Sequence, residues 1–293
     1  MEEGRIVKAT GGFYYVAAGT EVIECRARGR FRLDGVSPLV GDFVQVIRTP
    51  DHKGYISAVL PRKNALARPP AANIDRLILI AAAADPAPNR YVIDKMLVIA
   101  AYQEIDAALV VTKAALADGF ALAEDYRRAG YPVAVVDSLS GDVSAVRPLI
   151  EGKLCVLAGN TGVGKSTLLN ALEPSLALET GETSAKLGRG RHTTRTTQLF
   201  SVCGGLVADT PGFSALDIES AEPIPKEKLE LCFPEFASYL LKCRFTGCSH
   251  TREKGCAVLA AAEAGEISFA RHKSYCALYE EARLYKPWEE KTK

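Results

Sequence analysis

The sequence predicts a multi-domain chain in three parts. They are a small all-β barrel at the N-terminus, a central α/β domain around a phosphate-binding loop, and a mainly helical C-terminal domain stapled by a metal knuckle. Three observations carry this reading. Short strands broken by glycine fill residues 4–60, apolar strands alternate with helices on either side of GNTGVGKS (159–166), and three cysteines and a histidine gather within residues 243–256. Boundaries are expected to give domains at 1–66, 67–215 and 216–293.

Composition sets the frame. The 293 residues, 48% hydrophobic and 24% charged, are enough for real cores. The longest apolar run, LILIAAAA at 77–84, is too short to span a bilayer, and MEEGRIVKAT has no apolar signal core. A cytoplasmic protein without membrane association is expected. The net charge of +1 hides a modest basic excess in residues 1–68. Eight cysteines in such a chain are not expected to form disulfides. Cys25, Cys155, Cys203 and Cys276 stand isolated and read as buried small side chains.

In the first part, GRIVKAT, FYYVAAG, EVIECRARG, RFRLDG, DFVQVIRT and YISAVL carry β-branched and aromatic residues with partial alternation. They suggest a small barrel of the OB or SH3-like kind, taken here as an OB-fold. Arg26, Arg28, Arg30 and Arg32 recur at every second residue, which on a strand aims them at one face. That stripe suits nucleic-acid phosphate, the alternative being a solvated strand face. Phe13, Tyr14 and Tyr15 offer stacking faces, with core packing expected for at least two of them.

PRKNALARPPAAN (61–73) reads as a linker. Beyond it come strand 76–83, helix 91–103, strand 108–115, helix 119–129, strand 132–138, a helix near 142–150 and strand 153–159. That alternation implies a parallel sheet covered on both faces, with three βα units before the phosphate loop. In the last part, KEKLELCF, residues 232–242 and SFARHKSYCALYEEARLY read as helices around the knuckle.

GNTGVGKS fits G-x-x-x-x-G-K-[ST], between a strand and the helix STLLNAL. Gly159, Asn160, Thr161, Gly162, Val163 and Gly164 would turn backbone N–H groups onto phosphate oxygens. Lys165 adds a cation, Ser166 offers a hydroxyl to Mg²⁺, and Thr167 continues the helix start. Downstream, Asp209 and Gly212 of DTPGF form D-x-x-G at a strand end. Between the phosphate loop and D-x-x-G, KLGRGRHTTRTT (186–197) suits a switch segment in which Thr193 or Thr194 closes on Mg²⁺. Phe213 follows D-x-x-G and cannot orient water, so His192 is the candidate for that role.

The base-reading loop lies upstream. ALVVTKAAL (108–116) has the strand and the T-K-x-x of such a loop, giving Thr112, Lys113, Ala114 and Ala115, and VVDSLSGDV (135–143) sits where a second base loop belongs. Base loops before phosphate loop, switch and D-x-x-G are the order of a circularly permuted GTPase domain. With that order, GNTGVGKST, GRGRHTT, DTPGF, FPEF and CRFTGCSHTREKGCAV together resemble the RsgA (YjeQ) family over nearly the whole chain. The resemblance implies a GTPase, binding GTP and GDP with Mg²⁺, stimulated by the 30S ribosomal subunit and acting late in its maturation. It also implies the water-activating role for His192. One departure is clear: the family's loop ends in aspartate, where Ala115 stands here. A lost charged hydrogen bond of roughly 1.5–3 kcal/mol predicts weakened guanine selectivity. Asp137, Ser138, Leu139 and Ser140 also lack the usual Ser-Ala, and Asp118 is badly spaced to substitute.

Cys243, Cys248, His250 and Cys256, spaced C-x4-C-x-H-x5-C, complete a tetrahedral set for one structural zinc; His272 would be surplus. Lys242, Arg244, Arg252 and Lys254 decorate the knuckle. The leading reading is a monomeric GTP hydrolase whose barrel grips ribosomal RNA and which leaves the subunit on hydrolysis. The alternative is a nucleotide-gated RNA-binding module with weak hydrolysis and relaxed base choice because of Ala115.

Overall fold

The computed structural model describes residues 1–27, 31, 37–66, 70–117, 119–137, 142–178, 196–209 and 223–285. Strands β1 (Glu2–Thr10), β2 (Phe13–Ala18), β3 (Glu21–Ala27), β4 (Phe43–Arg48) and β5 (Gly54–Val59) pair in the order β1-β2-β3-β5-β4, and β4 returns to β1. Only β3–β5 is parallel. Closure removes the open edge and traps Ile6, Val16, Ile23, Val44, Val46 and Ile56 inside. The predicted barrel is thus present with five strands. RFRLDG lies almost wholly outside the described residues, as do Arg28, Arg30 and Arg32.

Residues 61–73 are more than a linker. β6 (Ala65–Leu66) and β7 (Ala71–Ala72) form a short hairpin. Asn64 exchanges hydrogen bonds of 2.9 and 2.8 Å with the backbone of Ile74, and Asn73 donates to the Gly41 carbonyl at 3.1 Å. These amides do the work of ladder partners in a stretch whose alanines and prolines carry no strand pattern. The hairpin packs on the barrel through the Val40–Ala71 bridge.

The central sheet runs β10 (Val133–Val135), β9 (Asp106–Thr112), β8 (Arg76–Ala82), β11 (Leu154–Ala158), β13 (Gly205–Asp209) and β12 (Thr197–Val202). The first five are parallel and β12 is antiparallel. Its sides are buried by α1 (Arg90–Tyr102) and α2 (Phe120–Arg128) on one face, and by α3 (Arg147–Ile150) and α4 (Lys165–Leu172) on the other. Alternate residues of β8 separate accordingly: Leu77 and Leu79 face one core, Ile78 and Ile80 the other. The outer edge of β12 is covered by β1, so barrel and central sheet are one continuous ladder.

The C-terminal part contains α5 (Lys226–Leu229), α6 (Ala257–Glu263) and α7 (Phe269–Leu284). Residues 232–242, expected as a helix, are instead separate 3-10 turns, because Pro234 holds Phe233 extended. α6 was not anticipated. Helix α1 is apolar almost all round because it is sandwiched: Met96 and Leu97 pack in the sheet core, while Val98 joins Phe233, Phe236 and Tyr275 of the C-terminal core. Arg271 of α7, 1% exposed, crosses this boundary. It donates to Asp94 of α1 at 2.6 Å and to Glu235 at 3.0 Å, with its guanidinium over the rings of Tyr126, Tyr131 and Phe233. Burial opposes its charge, yet Glu235 and Asp94 hold its pKa well above the usual value.

The isolated cysteines divide. Cys25 and Cys155 are buried as expected, whereas Cys203 and Cys276 are only half-buried. Among the described residues no helix is long and apolar enough to cross a membrane.

Candidate nucleotide site and metal knuckle

The phosphate loop leaves the C-terminal end of β11, where ligands of open α/β sheets sit. Gly159 takes φ 152°, and a Cβ there would lie 2.3 Å from the Ile80 carbonyl oxygen, so only glycine lets the loop cross β8. Gly164, at φ 91°, caps α4 and turns its N-terminus toward the loop. Lys165 folds back onto the loop, donating to the carbonyls of Gly159 and Asn160 at 2.7 Å each. Burial lowers its pKa to about 8. Asn160 and Ser166 are half-buried and Thr161 is exposed.

Two strands over, Thr112 ends β9. Its side chain is buried and donates to the Val163 carbonyl at 2.6 Å, tying the base loop to the phosphate loop. Val163 is itself buried, so neither of these side chains faces a ligand. Lys113, in the left-handed region at φ 55°, donates to the Asp85 carbonyl and fastens the base loop to the turn after β8. Ala114 is half-buried, and Ala115 is exposed and places no carboxylate at this edge. On the other side of β11, β13 ends at Asp209, the first residue of D-x-x-G. Base loop, phosphate loop and the start of D-x-x-G therefore share one sheet edge.

His192, Thr193, Thr194, Gly212, Phe213, Asp118 and residues 138–140 lie outside the described residues. On the barrel, Arg26 is exposed and stacks over Phe13 at 4.6 Å, and Lys8 stands over Tyr15 at 5.4 Å. Core packing was expected for at least two of the three aromatics. Only Tyr14 packs against the core, while Phe13 and Tyr15 carry cations at the surface.

In the C-terminal part, one donor atom each from Cys243, Cys248, His250 and Cys256 lies within 4.8 Å of the others. His250 turns Nδ1 toward the sulfurs of Cys243 and Cys256, 3.5 Å from each, and Nε2 toward Glu230 at 2.9 Å. A carboxylate on the far nitrogen is the support that metal-ligating imidazoles receive. Backbone N–H groups of Ala257 and Leu259 donate to Cys243 and Cys256 at 3.3 Å, as suits thiolates. His272 is not a donor in this set; its Nε2 meets the His250 carbonyl at 2.7 Å and braces that loop. Lys242, Arg244, Arg252 and Lys254 are all exposed. Glu230, Asp85 and the bracing role of His272 escaped sequence reasoning because each acts across a turn or a domain, with no spacing to betray it.

Two family profiles match the chain: the RsgA N-terminal domain over residues 3–56 and the RsgA GTPase over residues 59–219. A protein of Bacillus anthracis named small ribosomal subunit biogenesis GTPase RsgA is 44% identical, covering 98% of this chain and 99% of its own. A protein of that name from Caldanaerobacter subterraneus is 42% identical, with 96% of each chain covered. Among solved structures, YloQ, a circularly permuted GTPase, superposes with a TM-score of 0.78 at 37% identity, covering 98% of this chain and 96% of its own. YjeQ from Thermotoga maritima gives 0.79 at 33% identity, covering 97% of this chain and 99% of its own. By profile, full-length identity and permuted fold, this chain belongs to the RsgA family of GTPases.

Proposed function

We propose that this protein hydrolyses GTP in late maturation of the 30S ribosomal subunit, binding ribosomal RNA and leaving on hydrolysis. The observation that carries the reading is end-to-end similarity to relatives named small ribosomal subunit biogenesis GTPases, on a chain whose phosphate loop is complete. Gly159–Thr167 hold the phosphates, with Lys165 leaving its loop carbonyls for the outer ones. Lys113, Ala114 and Ala115 flank the base. His192 orients the attacking water, and Gly212 senses the γ-phosphate. Ser166 and Asp209, with Thr193 or Thr194, are placed in sequence to hold Mg²⁺; the ion supplies charge neutralisation across the phosphates.

The donor set at Cys243, Cys248, His250 and Cys256 fits one structural zinc, which leaves no coordination position for a substrate. Division into domains near residues 66 and 215, a monomeric state and a location in the bacterial cytoplasm complete the reading. The alternative of a weakly hydrolysing module is not favoured, since the relatives above carry the name GTPase over their full length.

The test is turnover of GTP and ATP side by side, with and without purified 30S subunits. GTP turnover should rise sharply on the subunit, leaving ATP behind. Equal use of both nucleotides, or indifference to the subunit, would sink the reading.

A further inference from the structure

Strand β1 changes partner halfway along. Glu2–Arg5 pair with β4 and close the barrel. The register with β2 then shifts between Ile6 and Lys8, and beyond that bulge Lys8 pairs with Gln198 and Ala9 with Thr197 of β12. A bulge re-aims a strand, and here it sends the end of β1 out of the barrel and into the central sheet. Gln198 pairs on its other edge with Asp209. One row of the ladder thus runs Lys8–Gln198–Asp209, from the barrel to the residue that opens D-x-x-G. At the end of the ladder Thr10 Oγ1 meets Thr196 Oγ1 at 2.8 Å. In sequence, Thr196 is the last residue but one of the segment 186–197.

We propose that this short ladder couples RNA held on the barrel to the nucleotide site, with Thr10 as a positioning residue. The inference rests on the reading that the barrel takes RNA and that 186–197 is the nucleotide switch. Both ends of the row carry the needed chemistry. The hairpin of β1 and β2 pairs Lys8 with Tyr15 and Thr10 with Phe13, and its Lys8–Tyr15 and Arg26–Phe13 stacks suit phosphates and bases. The other end is the beginning of β12. The ladder has two register pairs, against five for β12–β13, so it can open while the barrel and the central core stay folded. A ligand that favours the closed ladder shifts it, and the effect is reciprocal: GTP raises RNA affinity as RNA raises GTP affinity. Thr10 touches neither ligand; it fixes where β12 begins.

The experiment uses the full chain loaded with zinc. Hydrogen exchange of the wild type is compared with GDP and with a non-hydrolysable GTP analogue plus Mg²⁺. Amides of residues 8–10 and 196–200 should both slow with the analogue. Slowing at 196–200 alone overturns the coupling while sparing the switch. No response in either segment, with the analogue bound, removes the switch reading and the coupling with it. In parallel, 30S affinity is measured in both nucleotide states for wild type, Thr10→Val and Thr10→Ser. The valine variant should lose about five- to tenfold of the ratio between states and the serine variant should recover it, while GTP affinity without subunits should fall by no more than that factor. A valine variant with the wild-type ratio would overturn the proposal.

Discussion

At the C-terminal junction one arginine lies between two carboxylates and three aromatic rings, out of reach of water. At the N-terminal junction the central sheet and the barrel meet in a two-pair ladder that ends in a threonine contact, with Lys8, Ala9 and Thr10 half-buried, while behind it one apolar cluster runs from the barrel interior through Ala71 and Ile74 into the sheet core. The first is costly to break, since Asp94 and Glu235 would be left buried without their cation. The second exchanges its bonds with water cheaply. The helical part is clamped to α1, and at the other junction the short ladder, rather than the barrel as a whole, is the weakly held element.

The sharpest break of this contrast is Arg271→Met. It leaves Asp94 and Glu235 buried without their cation, and removal of one partner from such a pair costs about 3–5 kcal/mol. The loss should appear as faster hydrogen exchange throughout α7 of the zinc-loaded protein, with the barrel unchanged. A loss below about 1 kcal/mol would make the clamp ordinary surface electrostatics and erase the contrast.

That clamp was invisible in the sequence, and the reason is distance. Asp94, Tyr126, Glu235 and Arg271 come from four separate segments, and an arginine in SFARHKS reads as a solvated helix face. The one cue was a helix apolar all round, YVIDKMLVIAAYQ, with an acid in its middle that needed a buried partner. The phosphate loop and the cysteine knuckle were legible because their chemistry is local: backbone angles and donor spacing are set within a few residues. The hairpin at 65–72 was not, since side-chain amides rather than strand pattern hold it. FPEF was recognised as a family word, but only the fold shows that its glutamate grips Arg271.

Ala115 was equally legible, as a departure, and the structure leaves it exposed, with no carboxylate beside it among the described residues of that loop. Ala115→Asp should therefore tighten GTP by about ten- to a hundredfold, the worth of roughly 1.5–3 kcal/mol, while leaving ATP unimproved. Nucleotide titration without subunits reads it. Unchanged GTP affinity would mean that the base is read elsewhere on this edge.

The barrel side is broken through its packing rather than its charges. Gly41 sits at φ 93°, where a Cβ would come 2.1 Å from the Ala72 carbonyl oxygen of the hairpin. Gly41→Ala should cost about 1–3 kcal/mol through backbone strain, with the hairpin pushed off the barrel. Thermal unfolding should show the loss and hydrogen exchange should place it at residues 39–74, with α7 as protected as before. If α7 loosens as well, the two junctions are not independent and the comparison fails.

The smallest effect lies between the junctions, at Lys165. In the free protein burial holds its pKa near 8, below the ordinary 10.5. Phosphate favours the charged form, so GTP affinity should be level below pH 8. By pH 9 roughly one free molecule in ten carries the charge, and affinity should fall about tenfold. Stability of the nucleotide-free protein moves the other way. Its folded pKa is depressed, so between about 8 and 10.5 the unfolded chain binds more protons and the fold gains stability as pH rises. Opposite slopes for affinity and stability are the signature of a lysine held partly discharged on its own loop. Lys165→Arg, charged throughout this range, should flatten both slopes, whatever it does to absolute affinity. Titrations with excess Mg²⁺ at pH 7, 8 and 9 would show parallel slopes if some group other than Lys165 were responsible.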